Sequence, residues 1–232
     1  LAKFFEITIP SIDKEVIMSM IFDPSCSLEF DGQNLIWLSG GGSQLHSWPA
    51  ISGYTKEGEE KDSYRHNPKE NQSKSGGPTP EGKYQIGFPE IKNNDVKAFL
   101  RAIKSRMPGE EKIRPYNWNV AGSQGSWGRI RYMLYPEGHD ALNRTNMYVH
   151  GGSVPGSIGC IDLMMKVQEF GYILTAWMLM SSLVFGKSMQ STPMYIEVNY
   201  DNWSKKEKLP DVGFTYSPPS EDDKKEYFGG DY

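Results

Sequence analysis

The longest charge-free apolar run, Tyr172 to Phe185 (YILTAWMLMSSLVF), constrains the fold most. Its 14 residues fall short of the ~20 that a membrane-spanning helix needs. Thr175, Ser181 and Ser182 also interrupt it. It reads as the C-terminal half of a buried core helix, apolar all round. Leu163, Val167, Phe170, Leu174, Trp177 and Val184 fall on one stripe, and Asp162 is placed to cap the helix.

Most of the remaining chain reads as strands. Leu28-Glu29-Phe30 and Leu35-Ile36-Trp37-Leu38 flank the turn dipeptide Asp31-Gly32, a hairpin signature. Lys83–Phe88, Arg129–Tyr135, Asn146–His150 and Met194–Tyr200 read as further strands. Phe4–Ile9 and Val16–Phe22 are β-prone, so residues 1–26 are expected to be an N-terminal extended segment, a hairpin or edge strands. Residues 52–82 are polar and read as a long surface loop. Asn93–Met107 carries a helical period, with Asn94 as N-cap and Pro108-Gly109 as stop, and forms one helical insert. The chain from 210 to 232 has little to bury and is expected to be a mobile tail. The expected class is therefore mainly β with α (α+β): one domain over 27–209 with a core helix.

The formal charge of −4 implies no basic face and excludes nucleic acid as an expected partner. No signal peptide is visible; the start at Leu1 rather than Met is read as a trimmed leader or upstream segment. The two cysteines, Cys26 and Cys160, make no disulfide framework. A bridge between them would consume the thiol that the next observation needs, so two thiols are expected.

That observation is MYVHGGSVPGSIGCIDL, Met147 to Leu163. His150 and Cys160 are ten positions apart, with Gly151, Gly152, Gly156 and Gly159 between them. A thiol becomes a strong nucleophile on ionisation, and an imidazole is the base that ionises it. The glycines let the chain bend so that the two side chains meet. Cys160, just ahead of a helix, would also feel the positive end of its dipole. Main-chain N–H groups at Gly159 and Cys160 would receive the oxyanion of acyl transfer. Ser157 is read either as a turn residue or as a hydroxyl that orders the site.

Ser157-Ile158-Gly159-Cys160-Ile161-Asp162, with His150-Gly151 upstream, resembles the signature of the L,D-transpeptidase (YkuD-type) catalytic domain. GGPTPEGKYQI (Gly76–Ile86), Ser52-Gly53 and the HGGSVPGSIGC spacing resemble its short-loop branch, which includes peptidoglycan-targeting effectors of type VI secretion. The resemblance runs from about Leu28 to Trp203. It implies a β-sandwich or barrel-like domain that acts on peptidoglycan stem tetrapeptides through a Cys160 thioester, as transpeptidase or L,D-carboxypeptidase. It implies a periplasmic or secreted location, no cofactor, no metal, and, for an effector, an immunity protein as partner. Cys160, His150, Gly159 and Ser157 take the catalytic positions. Gly151, Gly152, Ile158, Asp162 and Tyr148 are expected against substrate. Ile158 stands where many members carry histidine, and Asp162 where they carry Arg or Asn. Those departures keep two other functions open: a peptidoglycan-binding protein with a relic site, and a cysteine amidase cutting another stem-peptide bond.

Other residues have two readings each. His46, His66 and His139 lack the close spacing of a zinc motif and read as surface histidines. Tyr54, Tyr64, Tyr84, Tyr132, Tyr148 and Trp127 are core or groove-lining aromatics. Arg129, Arg131 and Arg144 are exposed strand charges, or one of them receives a substrate carboxylate.

Overall fold

A computed structural model describes residues 12–53, 68–74, 76–90, 131–151, 157–185, 193–201 and 203. The expected helix over 93–107 and the expected tail lie outside the described residues, as do Phe4–Ile9.

The Asp-Gly signal gives its hairpin. β1 (Ser27–Phe30) and β2 (Asn34–Leu38) pair antiparallel with Phe30 opposite Leu35. The Asp31 carboxylate accepts from the N–H groups of Gln33 and Asn34 at 2.7 and 2.6 Å. Gly32 takes a φ of 95°, in the left-handed region that favours glycine. β3 (Gln44–Pro49) continues the meander. A single residue, Ala50, leads to β4 (Ile51–Gly53). The other strands are β5 (Gly82–Glu90), β6 (Arg131–Pro136), β7 (Tyr148–His150), β8 (Ser157–Asp162) and β9 (Met194–Val198).

Among the described residues these strands form one mixed sheet, ordered β3-β2-β1-β9-β5-β6-β7-β8-β4. β1–β9 and β7–β8 are parallel; the other ladders are antiparallel. β3 and β4 lie at opposite edges yet are separated in the chain by Ala50 alone. The sheet must therefore curl until its edges nearly meet, which leaves little strand edge unpaired. The protein is mainly β with some α, built on a nearly closed, barrel-like sheet.

Among the described residues three α-helices accompany it: α1 (Lys14–Phe22), α2 (Pro68–Asn71) and α3 (Val167–Phe185). The apolar run is the expected core helix, within α3. Phe170 meets Trp37, Trp48 and Tyr132 edge-on, with centroids 6.5, 5.4 and 5.8 Å away. Such pairs contribute about 0.5–1.5 kcal/mol each beyond their buried area. The Trp48 indole N–H donates to Glu169 at 2.6 Å, and the Tyr132 hydroxyl to the Gly171 carbonyl at 3.0 Å. Strands from distant parts of the sheet thus hold one helix. No helix among the described residues is long and apolar enough to cross a membrane.

Two expectations are corrected. Val16–Phe22 is helical rather than a strand. Asp13 caps α1 by accepting from the Glu15 N–H at 2.7 Å. Ile17, Met20 and Ile21, at helical spacing, are buried, and α1 packs on α3. The Trp177 indole N–H also donates to the Asp23 carbonyl at 2.7 Å. The core therefore continues through residue 26, where a boundary was expected. Asp13→Ala should cost about 1 kcal/mol through the lost cap, measured as a lower urea midpoint at unchanged slope. Second, the end of the polar stretch is not a surface loop. Gly76 to Pro80 are buried, because Thr79 bonds to the strands that carry the cysteine, as described next.

Candidate active site

His150 ends β7 and Cys160 lies on the neighbouring parallel strand β8. His150 is in register with Asp162, two residues beyond Cys160. Side chains two apart on a strand share a face, so His150 and Cys160 lie diagonally on one face of the sheet. Diagonal neighbours on paired strands stand roughly 7–8 Å apart at Cα, and no hydrogen bond joins His150 Nε2 to the thiol in this structure. Both residues are 2% exposed.

The backbone decides which imidazole nitrogen acts. His150 Nδ1 lies 3.2 Å from the Gly151 carbonyl oxygen. A carbonyl only accepts, so Nδ1 carries the proton and Nε2 keeps a lone pair, the form a general base needs. Burial holds the His150 pKa down at about 4, and the nearby Arg131 guanidinium adds to the effect. The ring is therefore neutral at pH 7. This has a measurable consequence. From its ordinary 6.5 down to about 4, the unfolded chain protonates this imidazole and the folded chain does not. Stability should fall as pH drops through that window, at about 1.4 kcal/mol per unit from this group, and His150 should contribute no slope above it. Urea titrations of the protein and of His150→Gln at pH 4.5, 5.5 and 7 should differ by that slope.

Cys160 is presented by an irregularity in β8. Ser52 faces Ile161, but the next residue, Gly53, faces Ser157. Gly159, at a φ of 81°, makes this excursion possible. A buried pair then fixes it. The Ser52 hydroxyl donates to the Cys160 carbonyl at 2.7 Å, and the Thr79 hydroxyl to the Gly159 carbonyl at 3.1 Å. The Thr79 N–H in turn donates to Ser52 Oγ at 2.8 Å. In a trans peptide the C=O and the following N–H point oppositely. Holding the Gly159 carbonyl toward Thr79 therefore aims the Cys160 N–H the other way. The thiol lies 3.9 Å from the Asn146 carbonyl oxygen.

A cavity of 330 Å³ borders this segment, with Gly159, Met147, Leu142, Thr145, Arg144 and Lys74 in its wall. Arg144 Nη1 donates to the carbonyls of Gly77 and Pro78 at 2.9 and 2.6 Å, and Nη2 to that of Lys74 at 2.9 Å. A Cβ on Gly159 would sit 3.1 Å from Nη1. The guanidinium is near enough to Cys160 for the two charges to interact.

No protein-family model matches the chain, and no curated protein matches it. A solved structure from Bdellovibrio bacteriovorus, that of Bd1075, is similar over 75% of this chain and 47% of its own length, at 14% identity and a TM-score of 0.38. The chain thus spans about half the length of that neighbour.

The sequence-derived site residues divide as follows. His150, Gly151, Gly159 and Cys160 lie on or directly beside the paired strands β7 and β8. Gly152 lies outside the described residues, and Ser157 and Ile158 are described only as β8 backbone. Asp162 does not line the cavity. It is fully buried and accepts from the Met164 N–H at 2.7 Å, at the entry to a 3₁₀ turn, Met164–Lys166, that precedes α3. Cys160 therefore stands on a strand seven residues before α3, and the helix dipole is too distant to ionise it. Tyr148 is buried under the Arg131 guanidinium, 4.5 Å from its ring centre. Tyr84 and Tyr132 belong to the core, not to a groove. Tyr54, Tyr64, Trp127, His66 and Arg129 lie outside the described residues. His46 is on β3, against Trp48 at 4.6 Å and 3.7 Å from Glu169, and His139 bonds to the Lys83 carbonyl at 2.8 Å. Cys26 is a buried thiol with its pKa pushed up to about 12 by burial, and no disulfide joins it to Cys160. The supporting roles of Ser52 and Thr79 were missed, although both stand in motifs that carried the family resemblance.

Proposed function

We propose that this chain is a cysteine acyltransferase of the L,D-transpeptidase type, acting on peptidoglycan stem peptides as transpeptidase or L,D-carboxypeptidase. The observation that carries the reading is the shared sheet face of His150 and Cys160, with the imidazole tautomer set by the Gly151 carbonyl. In this reading His150 Nε2 removes the thiol proton and Cys160 Sγ bonds to the acyl carbon. The oxyanion meets main-chain N–H groups at Gly159 and Cys160. The carbon–nitrogen bond breaks, and the leaving amine takes the proton from Nε2. An incoming amine or water then attacks the thioester, gives its proton to Nε2, and releases the sulfur, which recovers that proton. Neutral at pH 7, His150 offers a lone pair, and a pKa of about 4 makes it a weaker base than an ordinary imidazole.

The same reading makes the barrel-like sheet an L,D-transpeptidase catalytic domain that works in a periplasm or outside the cell. If the enzyme is an interbacterial effector, its producer carries an immunity protein. Incubation with purified tetrapeptide muropeptides, followed by mass spectrometry, tests the chemistry. Tripeptides, exchanged terminal amino acids or cross-linked dimers are expected. An unchanged digest after long incubation contradicts it, and cleavage at another stem-peptide bond assigns an amidase instead.

A further inference from the structure

The cavity beside Gly159 has a chemistry that the acyl-transfer step does not use. Its described wall carries two cations, Arg144 and Lys74, and no carboxylate. Arg144 is half-buried and held from one side by three carbonyls of the 74–78 segment. A guanidinium has five N–H donors. Both on Nη1 and one on Nη2 are committed in this way. Nε–H and one hydrogen on Nη2 are left, on the two nitrogens that make up the guanidinium's side edge, an edge that meets carboxylates. The carbonyl clamp thus fixes the group that offers this edge, which lowers the entropy lost on binding.

We infer that this cavity is a carboxylate subsite, in which Arg144 and Lys74 receive the free carboxylate of the amino acid that leaves when Cys160 is acylated. The assignment rests on the acyl-transfer reading for its place in the reaction, but the binding site itself does not. Gly159 separates the guanidinium from Cys160 by a single residue. The cation thus stands beside the nucleophile's own strand, on the side where the α-carboxylate of a leaving amino acid would fall near the scissile carbonyl. A longer leaving peptide would place an amide there, which cannot form the same ion pair. The subsite therefore selects cleavage of one C-terminal amino acid over cleavage inside a peptide.

The test uses Cys160→Ala protein, so that nothing turns over, and two N-acetylated dipeptides identical except for a terminal carboxylate or carboxamide. Calorimetric or NMR titration should show the carboxylate form binding about tenfold or more tightly. Arg144→Lys and, separately, Lys74→Gln should shrink that ratio. Lys74→Gln leaves the backbone carbonyl clamp in place and covers the case in which Arg144→Lys loosens the 74–78 segment. Equal binding of the two peptides overturns the subsite, and so does failure of both to bind at millimolar concentration. A ratio undiminished in both variants places the carboxylate elsewhere and also overturns it. A carboxylate preference that depends on both residues, in a protein inert toward muropeptides, keeps the subsite and removes the proposed function.

Discussion

Cys160→Ala should lower acyl transfer on the order of 10⁴-fold or more, since loss of a covalent nucleophile leaves only binding and oxyanion stabilisation. The fold should survive. The thiol is buried, and its contact with the Asn146 carbonyl at 3.9 Å is a weak one. Losing one buried sulfur costs about 1 kcal/mol, a Tm shift of roughly 2–4 °C for a chain of this size. Activity assays paired with circular dichroism melts check both halves. An inactive protein that also fails to fold would make the residue structural, and an active one would place the nucleophile elsewhere.

Gly151→Ala should be strongly damaging. A Cβ there would lie 2.1 Å from the Met164 carbonyl oxygen and 2.5 Å from Val167 Cγ1. Met164 belongs to the turn that leads into α3, so relief requires moving the start of the core helix. Overpacking in a well-packed core costs about 1–3 kcal/mol, and a backbone obstacle puts this case at the upper end. The carbonyl of the same residue sets the His150 tautomer. A displacement of even about 1 Å can cost 10²-fold in rate. Gly42→Ala is the control. Its φ of 80° strains any side chain, but nothing lies within 4 Å of the added carbon. It should lose about 1–2 kcal/mol and no activity. Urea unfolding and turnover, measured on both variants, separate the two effects.

Local signals made much of this structure legible. Asp31-Gly32 announced its hairpin because the turn chemistry lies within four residues. The helix after Cys160 was legible from its stripe of apolar positions, and the strand ending at His150 from its β-prone residues. Val16–Phe22 was misread because Val16, Ile17 and Ile21 suit a strand as well as a buried helix face. The Asp13 cap and packing on α3 decide between them. The position of Cys160 relative to the helix was misjudged by one turn, since the 3₁₀ turn Met164–Lys166 comes before α3.

The two catalytic candidates were visible as residue types at a particular spacing. Their supports were not. Ser52 and Thr79 reach the nucleophile across 108 and 80 positions of sequence, and only the sheet order brings them there. The fixing of Arg144 is equally non-local, because its three carbonyls lie in the segment 66 to 70 positions earlier.

The central claim is that Cys160 carries the acyl group. Brief mixing with tetrapeptide muropeptide, acid quenching and peptide mapping by mass spectrometry should find a thioester adduct on the peptide containing Cys160, absent from Cys160→Ala. Tripeptide release with no adduct on that peptide, and at the same rate in Cys160→Ala, would contradict the account.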